Sequence, residues 1–272
     1  MHLTEGENVH NRSCCTAPAM VLLHGWCMSS AVWRCQMDQY AAHWRVIAPD
    51  FNGHGDSPAA GENSSFEGFA AEIAALFERT RIDNALLVGW SLGGQVAIQS
   101  SAALRGRLRG LVLVATTPCF LARPDFPYGL SDAELRGMEV KVRRDVTRAV
   151  TGFRQRMFVP DEIAEASRAQ HVSALLDEVP IPDTATALAG LTMLAHGDMR
   201  GMLANIDMPT LIIGGSRDVI CPPDASRYLA EHIPDAELEI YEGCGHAPFL
   251  SFPERFNNSI NQFARKVFGT HA

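Results

Sequence analysis

Six short apolar runs, separated by amphipathic stretches, constrain this 272-residue chain more than any other feature. They are "AMVLLHG" (19–25), "WRVIAPD" (44–50), "NALLVGW" (84–90), "LRGLVLVAT" (108–116), "PTLIIGG" (209–215) and "AELEIY" (236–241). Together they are rich in Val, Ile and Leu and lack strict alternation, the pattern of strands buried on both faces. Helix-like stretches lie between them: 65–80, the segment after Ser91, 222–233 and 253–268. Strand and helix in repetition predict an α/β fold with a mostly parallel central sheet and helices on both faces.

The rhythm breaks once. From about Pro118 to Pro209 no strand pattern appears, and "SDAELRGMEVKVRRDVTRAVTGFRQRMF" and "DEIAEASRAQHVSALLDEV" both look helical. A helical excursion of this length is several times an ordinary crossover. It predicts a helical cap, 118–208, inserted between two strands of a core made of 1–117 and 209–272.

Composition excludes several classes. An apolar fraction of 47% supports a sizeable core, and a net charge of −8 argues against non-specific nucleic-acid binding. The first twenty residues show no apolar stretch after a basic start, and no run reaches the ~18 apolar residues of a membrane span. No signal peptide and no membrane association are expected, and the cytoplasm is favoured. The seven cysteines, Cys14 and Cys15 adjacent and the rest scattered, have no metal-like spacing and read as mostly reduced thiols. Neither a metal nor a cofactor is expected.

The chemistry centres on "LLVGWSLGGQVAIQ", Leu86 to Gln99. Gly89-Trp90-Ser91-Leu92-Gly93 matches G-x-S-x-G where an apolar strand turns into a helix. A sharp turn there crowds its neighbours, and small residues two positions to either side relieve the crowding while the hydroxyl stands above the sheet. The plainer alternative is a serine that only caps the helix. A serine hydroxyl needs a base. His246, in "YEGCGHAPF" after the last strand, is the candidate, ahead of His24, His54 and His196, none of which follows the final strand. The base needs an orienting carboxylate. Asp218, at the end of the penultimate strand, is the candidate over Asp125, Asp207 and Asp224. Backbone N–H groups of Leu92, after the serine, and of Trp26, after the first clear strand, would serve a developing oxyanion. The order Ser, Asp, His is that of α/β-hydrolases. Cys119 has no base of its own and reads as a packed thiol.

These residues carry a resemblance. "LLHGW", "DFNGHGDSP", "VGWSLGG", "GGSRDVICP" and "GCGHAPF" resemble an α/β-hydrolase of the esterase type over nearly the whole chain. The Trp after His24-Gly25, the Trp before Ser91 and "TTPCF" are more particular. They are similar to the pimeloyl-acyl-carrier-protein methyl ester esterases of biotin synthesis. The resemblance implies a serine carboxylesterase that passes through an acyl-enzyme. Its substrate contacts would be Trp26, Ser91, Leu92, His246 and a cap segment aligning with Phe153, Arg154, Gln155, Arg156 and Met157. The family alignment also leads with a hairpin, whereas "MHLTEGENVHNRS" lacks clear strand character. Other enzymes on this scaffold, a general short-chain esterase, a perhydrolase or a carbon–carbon bond hydrolase, share the same motifs, as would a small-molecule receptor built on it.

Charge adds a partner. Between Arg136 and Arg156 seven basic residues face two acidic ones, a local +5. A spacing such as 144/148 puts cations on one helix face. Arg143, Arg144 and Arg148 are therefore expected to dock an acidic acyl carrier protein, against the plainer reading of a solvated polar face.

Overall fold

The computed structural model of the chain describes residues 1–5, 18–58 and 64–269. Cys14 and Cys15 lie outside the described residues, as does most of "MHLTEGENVHNRS". The expected strands form with only their ends trimmed: β2 (Ala19–Leu23), β3 (Arg45–Asp50), β4 (Ala85–Trp90), β5 (Leu108–Val114), β6 (Thr210–Gly215) and β7 (Ala236–Tyr241). With β1 (His2–Glu5) they make one seven-stranded sheet in the order β1-β3-β2-β4-β5-β6-β7. Every pairing from β3 to β7 is parallel. The central strands β2 and β4 are buried along their whole length, which is why they carry no alternation.

The N-terminus corrects the expectation. Its first residues form β1 (His2–Glu5), paired antiparallel with β3, His2 opposite Asp50 and Leu3 opposite Pro49. A four-residue edge strand takes its ladder bonds from one neighbour and needs little apolar surface, so it leaves almost no sequence signal. It pairs with β3 and not with β2, the strand that follows it.

Helices α1 (Arg34–Tyr40), α2 (Phe66–Thr80), α3 (Leu92–Ser100), α8 (Pro223–His232) and α10 (Pro253–Phe268) flank the sheet, and the one-turn α9 (Pro248–Ser251) leads into the last of them. Helix α2 starts at Ser65, whose Oγ accepts the Gly68 N–H at 3.0 Å, a side-chain N-cap. Helix α10 buries Phe256, Ile260 and Phe263 at three- and four-residue spacing on the core.

Between β5 and β6 the described residues contain helices α4 (Asp132–Arg144), α5 (Val146–Arg156), α6 (Ala166–Asp177) and α7 (Thr184–His196), with no strand. The long basic stretch is two helices and not one. Asp145 sits at φ −165°, ψ 96°, ends α4 and caps α5 by accepting the Arg148 N–H on Oδ1 at 2.9 Å. A short acidic side chain that satisfies a free helix-start N–H competes with helix continuation, and here it wins. The expectation that Arg144 and Arg148 share one helix face is thereby overturned: they lie on either side of a break.

Candidate active site

The Ser91 corner is built from the inside of the sheet outward. β4 ends at Trp90 and α3 begins at Leu92, leaving Ser91 alone at the turn with φ 55° and ψ −119°. A non-glycine residue at positive φ is strained and persists only where its surroundings over-determine it. Here the Ser91 N–H donates to Val114 O at 3.0 Å, and its carbonyl accepts the Thr116 hydroxyl at 2.7 Å. A Cβ on Gly93 would stand 2.5 Å from Leu23 O, and one on Gly89 2.4 Å from Gly93 O. Both positions demand glycine because backbone occupies the space.

Asp218 follows β6 and His246 follows β7. The structure brings both to Ser91. His246 Nε2 lies 3.0 Å from Ser91 Oγ, and Nδ1 lies 2.7 Å from Asp218 Oδ2. The carboxylate is held by its other oxygen, which accepts the N–H groups of Ile220 (2.8 Å) and Cys221 (3.0 Å). An acceptor at Nδ1 assigns the imidazole proton there and leaves Nε2 free to accept the serine O–H. Ser91, Asp218 and His246 are 8%, 4% and 1% exposed, so water competes little for these bonds. The rivals fall away by position: Asp125 and Asp224 pair with arginines, Arg200 and Arg227, and Asp207 with Arg105.

Among the described residues, the backbone N–H groups of Trp26 and Leu92 have no protein acceptor. Leu92 is the first residue of α3, where free N–H groups and the positive dipole end coincide. The Trp26 ring reaches into the inserted segment. Its Nε1–H donates to Ala187 O in α7 at 2.9 Å, and Phe153 of α5 meets it edge-on with centroids 4.9 Å apart.

A pocket of about 520 Å³, counted to its open mouth, leads to Ser91. Trp26, Phe120, Phe153, Leu191, Leu194 and Ile220 give it apolar walls, and Glu134 and Arg156 stand on its polar edge. The wall residues of α7 escaped sequence reasoning because Leu191 and Leu194 repeat at the spacing of any core helix. Of the expected cap contacts, Phe153 and Arg156 line this pocket. Met157 is buried and its carbonyl accepts the His246 N–H at 2.7 Å. Gln155 is exposed and does not line it. Arg154 is turned away as a brace: its guanidinium donates to Leu176 O and Val179 O, each at 3.0 Å, and to Cys27 O at 3.5 Å. Arg143, Arg144 and Arg148 are exposed and take no ion pair among the described residues. Trp90, read from the sequence only as a distinctive neighbour of Ser91, donates its Nε1–H to His246 O at 2.8 Å.

Other groups are quiet. Cys119 donates its thiol to Leu121 O at 3.2 Å, and burial raises its pKa. Burial, and then the Asp218 carboxylate, push the Cys221 thiol well up. His24 accepts the Phe51 N–H on Nε2 at 3.1 Å and donates from Nδ1 to Gly25 O at 2.9 Å. Burial holds its pKa well below the usual histidine range. Among the described residues one set of metal-type side chains clusters, His2, Asp50 and Asp56, at the β1 edge. Asp50 is already engaged there by the N–H groups of Ser30 (2.6 Å) and Asp56 (3.1 Å).

Residues 18–253 match the family model for the alpha/beta hydrolase fold. The chain is 36% identical over 250 residues to a pimeloyl-[acyl-carrier protein] methyl ester esterase of Nitrosomonas europaea, covering 92% of this chain and 96% of that one. It is 35% identical over 247 residues to the esterase of the same name from Aeromonas hydrophila, covering 90% and 95%. An esterase from Exiguobacterium antarcticum superposes with a TM-score of 0.83 at 24% identity, over 91% of each chain, a likeness of fold. The chain belongs to the alpha/beta hydrolase fold family, and it is a carboxylic ester hydrolase of the same family as these esterases.

Proposed function

We propose that this chain hydrolyses the methyl ester of a pimeloyl group carried on an acyl carrier protein, with Ser91 as nucleophile, His246 as base and Asp218 as orienter. The observation that carries the reading is the buried relay Asp218 Oδ2, His246 Nδ1, His246 Nε2, Ser91 Oγ, with links of 2.7 and 3.0 Å. Ser91 Oγ attacks the ester carbonyl as its proton passes to His246 Nε2. Asp218 stabilises the imidazolium, and the N–H groups of Trp26 and Leu92 receive the oxyanion. Collapse expels methanol, which leaves with the proton from His246, and forms the acyl-enzyme. Water, deprotonated by His246, then attacks the acyl carbonyl and frees the carboxylate and Ser91.

The substrate follows from the relatives' names and from the pocket. A polymethylene chain suits apolar walls, and Trp26, Phe153 and Arg156 would contact it, with Arg154, Gln155 and Met157 outside the lining. Helices of the segment 118–208 act as a cap over the site. The carrier protein docks on the cap's outer cations, Arg143, Arg144 and Arg148, which are exposed and unpaired among the described residues. The reaction would serve biotin synthesis in the cytoplasm. Five described cysteines are free thiols, which agrees with a reducing compartment. No helix of the described residues is long and apolar enough to cross a membrane.

Ser91→Ala tests the mechanism. Turnover of the carrier-bound methyl ester, followed by mass spectrometry, should fall by about 10⁴-fold or more, with the circular dichroism unchanged. Retained turnover rules out Ser91 as nucleophile. Restoring growth of a biotin auxotroph that lacks its esterase tests the substrate; failure by soluble, active protein would point to a general esterase.

A further inference from the structure

The loop that carries His246 is fastened to the cap by a side chain with no part in the relay. Glu162 lies just past the end of α5, 3% exposed, and no cation pairs with it among the described residues. Burying a carboxylate away from water costs several kcal/mol unless donors surround it. Four do. Oε2 accepts the N–H groups of Gly245 at 2.9 Å and of Val159 at 3.0 Å. Oε1 accepts the Cys244 thiol at 3.1 Å and the Ser251 hydroxyl. Burial, and then Glu162 itself, push the Cys244 thiol far up, so the sulfur keeps the proton that it donates.

The contacts converge on the backbone of Gly245 and His246. The Gly245 N–H goes to Glu162 and the next N–H, that of His246, to Met157 O at 2.7 Å. A Cβ on Gly245 would stand 2.3 Å from Met157 O, so the cap segment and the loop touch along their backbones. From the opposite side, Trp90 holds His246 O at 2.8 Å. The histidine peptide is thus gripped between the sheet and cap residues 157–162.

We propose that Glu162 is a positioning residue for His246: by holding Gly245 N–H against the cap it sets where Nε2 meets Ser91 Oγ, and it ties the 157–162 segment to the loop that carries the histidine. This rests on the triad reading given above. A carboxylate is not required by this role, only one oxygen placed to accept two N–H groups. The amide oxygen of glutamine can do that, while its NH₂ donates to Ser251 Oγ; the hydroxyl turns to Ala247 O, 3.2 Å away, and the Cys244 thiol to Gly245 O, 3.6 Å away. Alanine cannot, and aspartate is one methylene too short to reach.

The test compares Glu162→Ala, Glu162→Asp and Glu162→Gln with the parent on p-nitrophenyl butyrate, kcat being expressed per site titrated with a fluorophosphonate. Small displacements of a reacting group cost up to about 100-fold, so the Ala and Asp variants should lose about tenfold or more in kcat. Their KM should stay within about twofold, and the Gln variant should keep kcat within about threefold of the parent. A merely structural role lowers the number of titratable sites and leaves kcat per site alone. Unchanged kcat per site in both Ala and Asp variants, a change confined to KM, or equal losses in Gln and Ala overturns the proposal. If the Ala variant does not fold, the Asp and Gln pair decides. Ser91→Ala runs alongside: its loss with Glu162 variants unaffected sinks only the positioning role, and its retention sinks the triad and this proposal together.

Discussion

Ser91 and His246, the nucleophile and base proposed above, are held in opposite ways. Ser91 is locked entirely by the sheet and its neighbours: Val114 O, the Thr116 hydroxyl, and backbone packed where Cβ atoms would stand at Gly89 and Gly93. His246 is held from two sides, by Trp90 of β4 and by Met157 of the inserted segment. A strained φ of 55° needs the stiffest surroundings in the molecule, and the centre of a parallel sheet supplies them. A base that must accept and return protons needs accurate placement but no strain. A loop clamped between the sheet and the inserted segment meets that need.

Three experiments break or sharpen this contrast. The largest effect is expected from Gly93→Ala, which puts a methyl 2.5 Å from Leu23 O and 2.6 Å from His24 O. Neither carbonyl can yield without moving β2, so a loss of about 3 kcal/mol in urea unfolding, or about 100-fold in kcat, should follow. A stable and active variant would show that the corner is not locked by the sheet.

Reversing charge with Arg144→Glu and Arg148→Glu should act on the cap's outer face alone. At low salt, kcat/KM for the carrier-bound ester should drop by about tenfold and converge on the parent as ionic strength rises. Hydrolysis of p-nitrophenyl butyrate should not change. If the small ester slows too, the outer face is coupled to the base, and the division between docking and positioning fails.

The smallest effect concerns His54, 4% exposed, whose Nδ1 donates to Asn52 O at 3.2 Å and whose Nε2 has no partner. Burial lowers its pKa from 6.5, against the pull of Asn52 O and the charges of Asp50 and Asp183. Below 6.5 the unfolded chain therefore binds a proton that the folded chain refuses, and stability falls as pH falls. His54→Asn should flatten that decline by up to about 1.4 kcal/mol per pH unit, read from unfolding between about pH 7 and about pH 5. Parallel slopes for variant and parent would place the acid sensitivity elsewhere, with His24 the next buried histidine to replace.

Much of this was legible along the chain. Strand boundaries at β4 and β6 lay within a residue of the apolar runs, because strands buried on both faces must be apolar throughout. Ser91, Asp218 and His246 each follow a strand end, and a parallel sheet puts those ends on one side, so topology alone predicted their meeting. Features set by local competition were harder to see. The break at Asp145 depends on one capping bond, and β1 on one neighbouring edge. Arg154, expected from the resemblance to touch substrate, instead gives its guanidinium to the carbonyls of Leu176, Val179 and Cys27.

By itself the sequence determined the fold family, the succession of strands along the chain and the strand ends at which Ser91, Asp218 and His246 stand, since periodicity and strand-end position are properties of neighbouring residues. Only the folded chain decided which cations stay in water, which walls shape the pocket, and that Glu162 sits over a glycine 83 residues away. Such contacts join segments with no shared period or motif. They exist because close packing leaves one place for each buried polar group, and that place is known only once every layer is assembled.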